Sequence, residues 1–512
     1  MSASAVEQPQ QSPTLPEHVD VLIVGAGVSG IGCAYHLQSE QPGKAYLILE
    51  GRDAIGGTWD LFRYPGIRSD SDLHTFGYEF KPWLGEKAIA DGQAILDYIS
   101  ETAIENGIER HIRVGYRVVR AAWSSEDARW TVQARRAETG ETVEVSCGWL
   151  FCAGGYYRYD EGYTPSFEGV ERFQGQIVHP QHWPEDLDYA DRRVVVIGSG
   201  ATAVTLIPAM TDKAAHVTML QRSPTYVVSL PEKDPIANAM KRVLPPRTAY
   251  ALARKKNIWL QKTIYTLSRS RPKLVRRLLR AGVKRRLPEG FPVDTHFNPS
   301  YEPWDQRLCA VPDGDLFEAI GSGRASVVTD TIETFTERGI KLTSGAELEA
   351  DIVVTATGLN LLTFGGIELT VDGQLVDLPQ TMAFKAMLLS DVPNFAFAIG
   401  YTNSSWTLKV DLVCEYFGRL LAYMDEHAYD TCMPHNDDPT ITTRPLLDLS
   451  AGYVQRSVHE LPRQGSRFPW SMAMSYAQDV KSLRNGAIED PALRFSRRAT
   501  VAGASPSPML AA

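Results

Sequence analysis

The first regular pattern in the chain is His18-Val19-Asp20-Val21-Leu22-Ile23-Val24, a nearly continuous apolar run with the length of a parallel strand covered on both faces. Gly25-Ala26-Gly27-Val28-Ser29-Gly30 follows, and Ile31, Ala34 and Leu37 then recur at a spacing of three, which predicts a helix. A second apolar run, Ala45 to Leu49, ends on Glu50, 25 residues after Gly25. Strand, glycine turn, helix, strand and terminal acid are the parts of a dinucleotide-binding unit, in the order such a unit needs. Gly25 permits the tight turn, Gly27 lets the backbone approach a pyrophosphate, and Gly30 lets helix and strand pack closely. The amides around Ser29 face the phosphate charge, and Glu50 can accept hydrogen bonds from a ribose hydroxyl pair.

The pattern is repeated downstream. Arg193 to Ile197 reads as a strand and Gly198-Ser199-Gly200-Ala201-Thr202-Ala203 as the turn, with an allowed small residue in third place. Val204 and Leu206 open the helix, and Val217 to Leu220 is the second strand. This strand ends in Gln221-Arg222-Ser223 instead of an acid. A carboxylate would repel a ribose 2′-phosphate, whereas a guanidinium and a hydroxyl bind one, so Arg222 and Ser223 should select NADP. The copies also close alike: Trp149-Leu150-Phe151-Cys152 runs into Ala153-Gly154-Gly155, and Asp351 to Val354 into Thr355-Ala356-Thr357-Gly358. The expected fold class is α/β, with two Rossmann-like dinucleotide-binding domains, one for FAD and one for NADPH, the second inserted in the first. The expected boundaries are an FAD-binding part over 18–160, a linker over 161–189 and an NADP-binding domain over 190–355 with a helical insert at 225–300. A returning FAD-binding part covers 356–495, and 1–17 and 496–512 are tails.

With 44% hydrophobic and 22% charged residues over 512 positions, the composition is that of a packed globular protein. No stretch approaches ~18 uninterrupted apolar residues, which argues against a spanning helix. The Gln-, Ser- and Pro-rich start, Met1 to Leu15, lacks the apolar centre of a signal peptide. Six cysteines without a C-x-x-C pair point to a reducing cytoplasm. The eleven histidines show no metal-ligand spacing. Net charge is −9, from 52 basic and 61 acidic residues, yet sixteen Lys and Arg and no Asp or Glu fall between Pro235 and Pro288. There Leu274, Val275, Leu278, Leu279 and Val283 recur at helical spacing among Arg276, Arg277, Arg280 and Lys284, an amphipathic basic helix that Pro272 and Gly282 should interrupt. A solvated cap over a substrate channel is the plainer reading, and peripheral contact with a membrane surface the alternative. Nucleic acid is not indicated, because no matching fold signature accompanies the basic block.

Beyond Glu50 the chain reads Gly56-Gly57-Thr58-Trp59-Asp60-Leu61-Phe62-Arg63-Tyr64-Pro65-Gly66-Ile67-Arg68-Ser69-Asp70. A flavin disulfide reductase would carry a redox cysteine after Gly-Gly-Thr, where Trp59 stands here. Cys147 and Cys152, five residues apart on a strand, should face opposite sides and not pair. The linker reads Phe173-Gln174-Gly175-Gln176-Ile177-Val178-His179-Pro180-Gln181-His182-Trp183-Pro184. This F-x-G-x-x-x-H-x-x-x-W-P string resembles the fingerprint of type I Baeyer–Villiger monooxygenases, and the Gly-Gly-x-Trp…Tyr-Pro-Gly-x-x-x-Asp string is similar to that family's second signature. The resemblance runs from about Val19 to Arg497. It is nearest to the branch that activates thioamide prodrugs in Gly66-Ile67-Arg68-Ser69-Asp70-Ser71-Asp72, Pro303-Trp304-Asp305-Gln306-Arg307-Leu308-Cys309 and Gly400-Tyr401-Thr402-Asn403.

The resemblance implies an enzyme in which NADPH reduces FAD, O2 adds at the flavin C4a, and the resulting peroxyflavin converts a ketone to an ester or lactone, with sulfoxidation of thioethers or thioamides alongside. It makes Arg307 the active-site arginine and Asp70 its partner. It extends the cofactor contacts to Thr58, Trp59, Asp60, Leu61, Arg68, Ser69, Asp70 and Val118. The family often has a lysine before the arginine to help hold the 2′-phosphate; Gln306 stands here, which leaves more of the selection to Arg222 and Ser223. A peroxide must remain an anion to act as a nucleophile, and arginine, which keeps its proton, meets that demand. His179 is expected to couple the two domains rather than to act as a base. Thr402 to Thr407 is expected to line the flavin or substrate pocket, or to be a plain polar loop. The enzymatic alternative is a flavin monooxygenase confined to N and S oxygenation, which does not require that cation. From another class, the alternative is a membrane-associating module with a vestigial site.

Overall fold

The computed structural model describes residues 15–306 and 308–498. The strand His18–Val24 pairs in parallel with Tyr46–Leu49 on one side and with Thr142–Cys152 on the other, and the helix Val28–Glu40 connects the first two. Tyr116–Ser124 and Arg129–Arg136 extend this eleven-stranded sheet in antiparallel fashion. The long helix Trp406–Glu426 lies along Val28–Glu40. Its Val410, Val413, Phe417 and Leu420, at spacings of three and four, share one core with Ile31, Ala34 and Leu37.

Side-chain alternation slips by one residue within this sheet. The amides of Asp20 and Val21 both donate to the Ala45 carbonyl, at 2.9 and 3.1 Å, and Gly148 lies on the strand alongside. Val19 and Cys147 therefore join the core of Leu22, Leu150 and Cys152, while Val21 and Trp149 enter the opposite one. The expectation that Cys147 and Cys152 face opposite sides is thus corrected: both enter the same core, as free thiols that burial pushes above their ordinary pKa.

The second sheet is parallel throughout, in the spatial order Ala325–Thr329, His216–Gln221, Arg193–Ile197, Ile352–Thr355 and Gln176–Val178. The last of these comes from within the stretch expected as a linker. Outgoing and returning chain meet where Tyr157–Gly162 pairs antiparallel with Leu359–Leu361.

The basic insert leaves the second unit after Val227–Leu230 and returns at Cys309–Pro312, strands that pair in parallel. Between them run the helices Pro235–Val243, Pro246–Ser270 and Pro272–Lys284. Pro272 starts the last helix, where its missing amide costs nothing, and Gly282 stays within it, so neither interrupts it as the sequence suggests. Among the described residues no helix is long and apolar enough to cross a membrane, and no His, Cys, Asp or Glu cluster could hold a metal.

Candidate active site

The two glycine turns perform the same crossing. Gly25 has φ +100°, and a Cβ there would lie 2.9 Å from the Ala153 carbonyl oxygen; Gly198 has φ +137°, and its Cβ would lie 2.3 Å from that of Ala356. Only glycine lets the turn pass so close to the strand that closes each unit. Gly30 packs against the Gly25 carbonyl with no room for a side chain, and Ala203 is fully buried at the equivalent place. The helices Val28–Glu40 and Ala201–Met210 begin at Gly27 and Gly200 without a side-chain cap, which leaves their first amides open to an anion.

A cavity of ≈ 420 Å³ is lined by both units. Gly25, Gly27, Ser29 and Glu50 come from the first turn and its terminal acid, Thr58, Trp59, Arg68, Ser69 and Asp70 from the Gly-Gly-Thr-Trp segment, and Val118 from the neighbouring strand. Ala201 and Thr202 reach it from the second helix start. Glu50 is buried, and its carboxylate accepts from the amides of Ala26 at 2.7 Å and Arg52 at 2.9 Å. Burial raises its pKa, and those amides and the Arg52 charge offset part of the rise. The hydroxyl of Ser69 is buried against this space with no hydrogen-bond partner. An orphaned hydroxyl, an open helix start and a buried acid at the end of the strand fit a bound dinucleotide.

Some expected residues lie elsewhere. Asp60 is held by Arg52 at 2.5 Å and Arg63 at 2.9 Å, and Leu61 packs into the core of the second sheet; neither lines the cavity. Arg68 touches the cavity, but its guanidinium is paired with Asp315 at 2.5 Å. Gly198, Ser199, Gly200, Arg222 and Ser223 stand apart from the cavity. Ser199 Oγ donates to the Ser223 carbonyl at 3.3 Å and meets the Thr225 hydroxyl at 2.8 Å. Arg222 is exposed at the end of its strand. Arg307 lies outside the described residues; Ala310, three residues on, lines the cavity.

Trp406 was not singled out from sequence, although it lies in the Thr402–Thr407 stretch. It lines the cavity, stacks on Tyr156 at a centroid distance of 5.3 Å and donates its indole N–H to Ser29 Oγ at 3.0 Å. The seam with the second unit is built by Tyr64-Pro65-Gly66. A Cβ on Gly66 would lie 2.6 Å from Ala209 Cβ, and the Tyr64 hydroxyl bonds to Thr202. Burial pushes the Tyr64 phenol up to about 12.

His179 sits where the connecting strands meet. Its Nδ1 accepts from the Gln181 amide at 3.2 Å, and its Nε2 faces the Gly358 carbonyl at 3.3 Å. A Cβ on Gly162 would fall inside its ring, 1.9 Å from Cε1. Gln181, which is buried, donates to the carbonyls of Arg158 at 2.9 Å and Tyr159 at 3.0 Å.

An acid-terminated and an arginine-terminated dinucleotide unit sharing one cavity define a two-nucleotide α/β oxidoreductase. The flavin-binding monooxygenase-like family matches residues 88–368, and the NAD(P)-binding Rossmann-like domain matches residues 23–84. The FAD-containing monooxygenase EthA of Mycobacterium tuberculosis is 54% identical over 490 residues, covering 96% of this chain and 100% of that protein. The putative FAD-containing monooxygenase MymA of the same organism is 53% identical over 489 residues, 94% of this chain and 98% of the other. The fold is shared with an oxidized steroid monooxygenase bound to NADP, at a TM-score of 0.73 and 20% identity, over 94% of this chain and 100% of that one. The chain belongs to the flavin-binding monooxygenase-like family.

Proposed function

We propose that the protein is an FAD- and NADPH-dependent monooxygenase of Baeyer–Villiger type that inserts one atom of O2 into ketones, giving esters or lactones, and oxygenates thioethers or thioamides at sulfur. The observation that carries this is the single cavity lined by Glu50 and Ser69 of one dinucleotide unit and Ala201 and Thr202 of the other. A nucleotide held on the second turn, which stands outside the cavity, would reach it past Ala201 and Thr202 and meet there the nucleotide of the first unit, as electron transfer from one to the other requires.

FAD, when bound, supplies the redox chemistry, taking a hydride from NADPH and activating O2. Glu50 would hold its ribose, the amides at the start of Val28–Glu40 its pyrophosphate, and Ser69 a further polar atom. Arg222 and Ser223 would hold the 2′-phosphate of NADPH. Trp59, Tyr64, Phe76 and Trp406, which line the cavity, would exclude water from the reacting centre. Arg307 is assigned as the permanent cation that stabilises negative charge developing on the carbonyl oxygen, with Asp70, a cavity residue, orienting it.

Arg307→Ala should retain FAD and lose ester formation, because it removes a charge and leaves the cofactor cradle intact. The measurement is ester yield per NADPH for linear, cyclic and aryl ketones, with a sulfide alongside. Normal ester yield from the variant overturns the role of Arg307. Sulfoxide without ester from the parent enzyme places the protein among monooxygenases confined to heteroatoms.

A further inference from the structure

The three insert helices turn large apolar side chains to solvent: Val243 is 80% exposed, Trp259 65% and Leu278 58%. Nine of the seventeen large apolar side chains exposed among the described residues fall between Ile236 and Leu278. The opposite side of the insert is fixed to the flavin-binding part. The buried Arg254 donates to the carbonyls of His74, Thr75 and Gly77 and pairs with Asp411 at 3.2 Å. Asn257 and Gln261 bond to Asp72 at 2.8 and 2.9 Å, and Gln261 accepts from Ser404 at 2.7 Å. The exposed apolar side chains therefore stand on an anchored platform.

Charge accompanies them. Of the sixteen cations, Arg254, Lys256, Arg269 and Arg280 are neutralised by Asp411, Asp234, Asp305 and Asp294, which leaves twelve without an ion pair among the described residues. Lys255 and Lys262 follow Leu252 and Trp259 by three residues, so they flank the apolar stripe on the same exposed side of the long helix. Arg277 stands in the same relation to Leu274 on the next helix.

A solvated face has no use for exposed Trp, Leu and Ile. A second copy of the chain would bring one block of cations against another. Nucleic acid would match the charge but leave the aliphatic side chains unburied. An anionic lipid surface satisfies both features: the apolar side chains enter the acyl boundary while the lysines and arginines stay among the headgroup phosphates. We propose that this insert seats the protein peripherally on an anionic membrane surface, a binding site separate from the dinucleotide cavity and independent of the chemistry assigned to it.

The test is co-sedimentation of the FAD-loaded protein with vesicles of phosphatidylcholine containing about a third phosphatidylglycerol, and with pure phosphatidylcholine. Binding is expected to the mixed vesicles alone, weakening as salt rises. The exposed-site variant Lys255→Glu/Lys262→Glu/Lys273→Glu/Arg277→Glu should lose affinity by on the order of 100-fold, and Trp259→Ser/Leu278→Ser by about tenfold. Both should keep FAD and NADPH oxidation unchanged, which shows that the fold is intact. Absence of binding by the parent protein, or equal binding by the charge-reversed variant, overturns the proposal. So does a dimer in ultracentrifugation that Trp259→Ser/Leu278→Ser dissociates, because the face then belongs to a second copy.

Discussion

Glu50 and Arg222 end equivalent strands of the two units with opposite charges. The first is buried and held by the Ala26 and Arg52 amides, one on each oxygen, which leaves it acceptor sites to spare, while the second is exposed at the end of its strand. In the function proposed above, Arg222 makes a charge-assisted contact that only the phosphorylated nucleotide offers. Arg222→Ala should therefore raise the KM for NADPH by about 10- to 100-fold and leave that for NADH nearly unchanged. Steady-state kinetics with both nucleotides decide it; equal effects would remove Arg222 from the 2′-phosphate. Residues in this class were legible in the sequence because a periodic strand and helix fix where they stand. Trp406 was not, because its indole meets Ser29 across 377 residues of chain, a contact that only tertiary packing creates. Asp60 shows the converse: its place in a motif suggested a ligand contact, yet Arg52 and Arg63 occupy its carboxylate.

At the scale of elements, the apolar strands and glycine turns were readable because periodicity and turn chemistry are local. The slip at Asp20 and Gly148 was not, because a bulge depends on which carbonyl the neighbouring strand offers. The crossing at Gly198 yields a sharp expectation. Gly198→Ala would place a methyl at φ +137° against the Ala356 carbonyl, costing about 1–3 kcal/mol locally and closing the second turn to a phosphate. Such a variant should keep FAD and lose NADPH affinity, as read by flavin absorbance and nucleotide titration. The second sheet also carries a pH-dependent clasp. Asp351 accepts from the Arg193 amide and guanidinium, each at 2.8 Å, and these hold its pKa down at about 2. A depressed carboxylate stabilises the fold above its unfolded value of 3.8, and that contribution is lost as pH falls towards about 2. Asp351→Asn should lower the melting temperature at neutral pH and flatten its dependence on pH between these limits.

At the scale of the whole molecule, His179 stands at the junction where the chain leaves and re-enters the flavin-binding part. Neither the Gly162 ring contact nor the Gly358 bond could be read from the fingerprint, because both partners lie outside it, Gly358 being 179 residues further along the chain. Since Nδ1 accepts from the Gln181 amide, the neutral ring carries its proton on Nε2 and donates it to Gly358. Burial lowers its pKa below 6.5, consistent with that neutral form. Its contribution to stability is then complete above pH 6.5 and is lost as pH falls through that value towards the folded pKa, where a second proton would displace the Gln181 bond. His179→Ala would leave a void beside Gly162 and free the two connectors to shift against one another. FAD and NADP binding should survive, since neither glycine turn is touched, whereas the registration of the two units in the shared cavity should not. We expect NADPH oxidation to continue while ester formed per NADPH falls by about tenfold or more, with the missing electrons recovered as hydrogen peroxide. Unchanged coupling together with a lower melting temperature would make His179 a structural pin alone. A coupling defect that Gly162→Ala reproduces by crowding the same ring would place the control of registration at this junction.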